Sequence, residues 1–371
     1  MKKKIVLVFV FLCTILCLIS CKENNHITKL RFGTFDFGDK IDPFFYDDTK
    51  NNTMLDLTFS RLFGTDYEGN IIYDIAEKTG RDIDGFRVYS PCSMSLSVED
   101  SIYTYTITIK DGIYSSNGHE FDSKDLLFDL YVHLDPSNTN SKLNTLPIIG
   151  LDEYKETHEN KKDDVDYIEG ITYTSHSISV STNRILTDEE KSYLNIYMVP
   201  YSFLSTGVKL LPDNHKFGVE KNNLTKIKST NYYSKGTGEY YLKEMSIDKY
   251  VFMSNSAFYK GKITITTLEF HRLKPFVYDE DMLIESGGDE YYSIDKNKID
   301  FAIVSYDEKS IDEVKRYNLN GKEEGNILYL LKINGTENAL VCSTKRMNKE
   351  SVLSLNINEN HSFFELLYLY R

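Results

Sequence analysis

At 371 residues the chain exceeds the size at which single hydrophobic cores stop growing, so two or three lobes are expected. Its 41% hydrophobic and 27% charged residues are those of an ordinary globular protein. A net charge of −13 repels phosphate and argues against a nucleic-acid partner. Trp is absent and Tyr numbers 28, a bias that reads as codon usage of an AT-rich genome rather than as function.

The first segment is the most informative. Lys2, Lys3 and Lys4 precede an apolar run over residues 5–19, and Cys21 is followed at once by the polar run 22–26. A basic head stays cytoplasmic while an apolar stretch enters the bilayer, and this stretch is shorter than the roughly 20 residues a stable span needs. The ending Leu18-Ile19-Ser20-Cys21 resembles a bacterial lipobox, in which the cysteine is diacylated and becomes the first residue. Residues 1–20 are then a cleaved signal peptide and 21–30 a lipidated tether, placing the protein at the extracellular face of the cell membrane. Two acyl chains anchor stably. Loss of the three lysines takes the net charge to −16. Apart from Cys21, the processed chain keeps Cys92 and Cys342, which is no disulfide framework; a bridge between them stays open.

Residues 30–35 alternate and predict a first strand, ended by Asp42-Pro43. Residues 52–62 carry Met54, Leu57, Thr58, Arg61 and Leu62 at helical spacing. Residues 66–70 predict a hairpin-type turn. Residues 102–110 alternate clearly as a strand, followed by turns at Asp111-Gly112 and Asn117-Gly118. A helix is predicted over 123–134, capped by Asp122 or Ser123, with Leu126, Leu127, Leu130 and Leu134 on its apolar face. Residues 152–167 read as a charged, exposed loop. Further strands are predicted at 178–181, 249–254, 264–270, 299–304 and 327–333, and Thr187 to Glu190 has a capping-box pattern. Residues 365–371 read as a helix. Hairpin-linked strands with separate helices give a mixed α/β (α+β) class.

The order of these motifs resembles the family 5 extracellular solute-binding proteins, the peptide- and nickel-type receptors of ABC importers. Leu57-Thr58-Phe59-Ser60-Arg61-Leu62-Phe63 with Gly69 to Glu77 is similar to one of the family's segments. The stretch from Tyr103 to Leu126 is the closest match. Gly236-Thr237-Gly238-Glu239-Tyr240 is similar to the family's Gly-Thr-Gly-Pro-Tyr block. Asn255, Phe258, Tyr259 and Gly261 match the aromatic motif that follows it, and Ile299-Asp300-Phe301-Ala302 a later strand. Glu239 stands for the family's proline, and Phe258-Tyr259 for the commoner Tyr-Trp. Members are longer and continue into a second large lobe.

The resemblance implies a two-lobed, periplasmic-binding-protein-like type II fold with an incomplete second lobe. Residues 31–60 and 171–275 form lobe I, 61–170 an inserted subdomain and 276–371 a partial lobe II. It also implies reversible binding of a short peptide or similar solute by lobe closure, delivery to importer permease subunits, a monomer, no cofactor and no catalysis. The alternative is a truncated or decayed, non-transporting member acting as a surface interaction protein. Phe37, Gly38 and Asp39 are the candidate ligand-binding residues, because the matching family segment lies along the bound peptide; an ordinary loop is the plainer reading. Gly236, Thr237 and Gly238 read first as a structural turn. They are no dinucleotide fingerprint, since Tyr241 stands where a glycine is needed. The 8 histidines form no His-Glu-x-x-His, so no metal is expected, and His119 and His271 read as solvent-facing. No Gly-x-Ser-x-Gly occurs.

Overall fold

The computed structural model describes residues 28–34, 41–46, 52–66, 68–83, 86–156, 165–201, 221–232, 235–261, 263, 265–273, 289–318, 328–332 and 337–343. In chain order the strands are β1 (Lys29–Thr34), β2 (Gly64–Thr65), β3 (Ile71–Ile72), β4 (Arg81–Ile83), β5 (Phe86–Val88), β6 (Cys92–Glu99), β7 (Ile102–Ile109), β8 (Ile171–Tyr173), β9 (Ser177–Thr182), β10 (Tyr240–Met245), β11 (Lys249–Ser254), β12 (Thr267–Arg272), β13 (Phe301–Ser305), β14 (Leu328–Lys332) and β15 (Asn338–Ser343). The helices are α1 (Thr53–Thr58), α2 (Ser123–Leu134), α3 (Leu151–Lys155), α4 (Asp188–Ser192), α5 (Thr225–Ser229), α6 (Asp289–Asp295) and α7 (Glu308–Tyr317).

Two sheets organise these elements. The larger has the order β10-β11-β12-β1-β13-β15-β14, and the smaller the order β6-β7-β9-β8. Strand β1 sits inside the large sheet with parallel neighbours on both sides. Its alternation explains the placement: Leu30 and Phe32 are buried on one face, while Arg31 and Gly33 serve the other. Phe32 stands in register with Phe270 and Phe301, stacking on the first at 5.1 Å and meeting the second edge-on at 4.3 Å. One aromatic row thus ties three parallel strands. On the opposite face Asp300, fully buried, accepts from the Arg31 backbone N (2.9 Å), Nε (3.2 Å) and Nη2 (2.8 Å).

Helix α2 joins the two sheets. Asp122 caps it: its carboxylate accepts from the backbone of Lys124 and Asp125, and Asp125 reaches back to the Asp122 N–H. Phe128 and Val132 enter the core of the large sheet, whereas Leu126, Leu127, Leu130 and Leu134 enter the core of the small one. A helix buried between two cores cannot show a single apolar stripe.

Several sequence expectations change. The helix predicted over 52–62 ends at Thr58, because the backbone beyond it is captured by other segments. Gly238 N donates to the Thr58 carbonyl (2.8 Å), Ser60 N donates to Thr237 Oγ1 (3.2 Å), and Leu62 N donates to the Ile196 carbonyl (3.1 Å). Gly236 and Gly238 pack directly on the carbonyls of Thr58 and Leu57, so the Gly-Thr-Gly segment is a structural clamp. Residues 152–155 are helical rather than loop, with Tyr154 buried. Ser177–Thr182 pair with β7 and Ile171–Tyr173 pair with β9, so both stand in the smaller sheet. The described strands of 276–371 extend the sheet of β1, since β13 pairs with β1 and β15 with β13. Cys92 and Cys342 are free thiols buried in different cores, so no bridge joins them. Residues 365–371 lie outside the described residues.

Candidate ligand-binding site

In an open α/β sheet, ligands bind outside the carboxyl ends of the strands, where the chain connections diverge to either side. Strand β1 is such a point, because the chain reaches β12 on one side of it and then crosses to β13 on the other. Phe37, Gly38 and Asp39 follow β1 within a few residues and lie outside the described residues, as does Cys21. The described segment 41–46 comes next. Ile41 and Phe44 are buried in the large core, while Phe45 and Tyr46 remain half-buried.

Phe44, Phe45 and Tyr46 form one wall of a pocket of about 460 Å³. Other lining residues include Arg61 from beyond α1, His133 from the last turn of α2, Lys142 from a 3₁₀ turn and Tyr193 after α4. Four segments far apart in sequence therefore converge. The volume falls in the range of about 300–1,000 Å³ found for small-molecule sites, and Asn140, Ser141 and Ser192 make its lining more polar than apolar.

Arg61 is held rigidly. Its guanidinium lies 4.2 Å from the centroid of Tyr197 and 5.3 Å from that of Tyr46. It donates to the Tyr197 hydroxyl (2.9 Å) and the Asn195 carbonyl (3.3 Å), and stands 3.7 Å from Asp56. The Tyr197 hydroxyl in turn donates to Asp56 (2.6 Å). Burial, more than the nearby Asp56 charge, holds the Tyr197 phenol well above its ordinary value, so it stays neutral.

Helix α2 carries a polar stripe, Asp125, Asp129 and His133, at four-residue spacing and therefore on one face. Asp125 accepts from Tyr201 N (2.9 Å) and Asp129 from Val199 N (2.9 Å), fixing the backbone of that segment against α2. Burial pushes the Asp129 carboxyl well up, and its Oδ1 has no hydrogen-bond partner. Burial, aided by the Arg61 charge, pushes His133 down to about 3, so its ring is neutral. Its Nδ1 lies 3.4 Å from Ser141 Oγ, and Nε2 has no partner.

Sequence reading had not singled out this constellation. The Asp-x-x-x-Asp-x-x-x-His spacing was visible, but the leucines of α2 dominate the pattern. Two histidines read as solvent-facing are engaged instead: His119 Nε2 meets Asp125 at 2.9 Å and His271 Nε2 meets Glu269 at 3.0 Å. No group of three or more potential metal ligands occurs among the described residues.

No protein-family model matches the sequence, and no curated protein matches it. Solved structures do match. The oligopeptide-binding protein AppA from Bacillus subtilis, solved with a nonapeptide, aligns with a TM-score of 0.53 at 14% identity, over 82% of this chain and 47% of that one. The fold is that of two-lobed, type II periplasmic binding proteins. Lactococcal OppA with an endogenous peptide in the closed conformation gives a TM-score of 0.53 at 16% identity, over 76% and 47% of the two chains. Listeria monocytogenes OppA bound to peptide gives 0.51 at 15% identity, over 84% and 53%. The chain spans about half the length of these solved proteins.

Proposed function

We propose that the protein is a lipid-anchored extracellular solute receptor that binds short peptides reversibly and delivers them to an ABC importer by lobe closure. The observation that carries this reading is the aromatic-walled pocket reached by the segment that follows β1, in a fold shared with proteins solved around bound peptides. Such a pocket, at a meeting of four chain segments, suits a ligand held among aromatic faces and a few fixed polar groups. The basic head, apolar run and Ser20-Cys21 ending support an anchor on Cys21 at the outer face of the membrane. Phe37, Gly38 and Asp39 remain the proposed contacts to the peptide, and permease subunits the proposed partners of a monomeric receptor that carries out no catalysis.

Native mass spectrometry of the purified chain, with thermal shift against a broad peptide library, tests the reading. Expected are co-purifying peptide masses and a raised melting temperature with a subset of the library. A library that moves the melting temperature nowhere, with no ligand carried through purification, overturns it.

A further inference from the structure

Three aromatic rings converge on one charge outside the pocket. The ammonium of Lys260 stands over all of them, 5.8 Å from the centroid of Tyr89, 5.7 Å from that of Phe258 and 5.8 Å from that of Tyr259. Phe258 and Tyr259 are neighbours of Lys260 in the chain, but Tyr89 comes from the segment between β5 and β6. Among the described residues Lys260 forms no ion pair and no hydrogen bond, so the rings are its partners.

The walls are fixed and the occupant is not. Phe258 is buried in the large core, and Tyr259 packs against both cores. The turn that carries them is closed by Phe258 N donating to the Asn255 carbonyl (3.1 Å) and Gly261 N donating to the Phe258 carbonyl (3.0 Å). The Tyr89 ring lies against Gly80, where an added Cβ would stand 3.1 Å from it. Lys260 is partly exposed on a flexible stem, and its ammonium is strongly hydrated, so swinging it into water costs little.

The spacing suits a larger cation than the one present. A carbon rests on a ring face at about 3.5–4.0 Å, and an N–C bond adds about 1.5 Å. A methylated nitrogen touching a ring therefore sits about 5–5.5 Å from it. That is close to the 5.7–5.8 Å observed here, whereas a bare ammonium in contact would stand nearer. A quaternary ammonium also has no N–H to keep in water, so it leaves solvent for ring faces more readily than a lysine does.

We propose that Tyr89, Phe258 and Tyr259 form a cage for a quaternary ammonium group, with Lys260 as its placeholder in the free protein. The group is carried either by a free choline-like solute or by the headgroup of a choline lipid, which present the same cation. No cage residue lines the pocket beside Arg61, so this site stands apart from the peptide-receptor reading.

Calorimetric titration of the purified full chain separates the sources: choline against ethanolamine, and glycerophosphocholine against glycerophosphoethanolamine. The expected result is a preference of about tenfold for the quaternary member of at least one pair, and the pair that shows it names the source. Lys260→Ala is expected to tighten that binding about threefold or more, because the cage no longer spends time filled. Tyr89→Leu, with its melting temperature measured alongside, is expected to reduce the preference to about twofold or less. Equal binding within both pairs, in the parent and in Lys260→Ala alike, overturns the cage. A preference undiminished by Tyr89→Leu overturns it too, because the cation is then held elsewhere. Binding that Lys260→Ala leaves unchanged or weakens overturns the placeholder role. None of these outcomes bears on peptide binding.

Discussion

Gly236 lies directly against the carbonyl of Thr58, with no space between them for a Cβ. This contact ends α1 and turns the chain toward Arg61 and the pocket. Because the obstruction is backbone, no rotamer change relieves it.

Gly236→Ala should therefore destabilise the fold by about 2–4 kcal/mol, read as a lower urea midpoint with an unchanged slope. Gly69→Ala is the comparison. That residue has open space around it but a φ of +88°, so the cost should be only about 1 kcal/mol.

Arg31 compensates a buried charge. Asp300 is fully buried and takes three hydrogen bonds from Arg31. Arg31→Met leaves that carboxylate with only the backbone donor of the three and should cost about 3–5 kcal/mol. The double variant Arg31→Met/Asp300→Leu should recover part of the loss, since it removes the buried charge as well. Chemical denaturation of the three variants checks the cycle.

Asp129 and His119 should each contribute stability that is lost as pH rises, opposite in sign to His133, whose depressed value makes the fold lose stability as pH falls below about 6.5. Burial raises the Asp129 carboxyl in the folded state, so the native form holds its proton more tightly than the unfolded chain. That contribution is complete below about pH 4 and declines as pH rises toward the folded value. Asp129→Asn should remove this decline. His119 is also raised, mainly by its hydrogen bond to Asp125, so its contribution is complete below about pH 6.5 and is lost as pH rises through its folded value. His119→Gln should flatten the melting-temperature profile above about pH 6.5 while leaving the lower slope in place.

Cys92 and Cys342 are both free and buried, and burial pushes the Cys92 thiol up, so neither should react in the native state. A thiol reagent applied to the folded protein should label neither position. After denaturation both should appear by peptide mapping. Labelling of Cys342 in the native protein would contradict its place in the large core.

The parts of the fold legible in the sequence are those set by local rules. Helix α2 has its expected bounds because Asp122 and Asp125 form a reciprocal cap. Thr187 and Glu190 do the same for α4, and β7 follows from its alternation. Strand β6 carries the same period-two signal as β7, Ser93, Ser95 and Ser97 alternating with Met94, Leu96 and Val98, and was as legible. Residues 59–62 continue a helical period, yet extended pairing with Tyr197 and the Gly-Thr-Gly segment overrides it. The pocket was illegible for a related reason. Tyr46, Arg61, His133 and Lys142 meet only through tertiary packing, and each looks ordinary within its own segment.

The position of β1 governs the order in which the molecule can be completed. It is the first described strand, yet both its neighbours come from the far half of the chain. The smaller sheet, whose strands all lie between Cys92 and Thr182, can close while β1 still waits for Thr267–Arg272 to be synthesised. A chain with this wiring leaves β1 without its sheet partners until most of the molecule has been made. Docking of Phe32 between Phe270 and Phe301 is then the event that draws the front of the molecule taut.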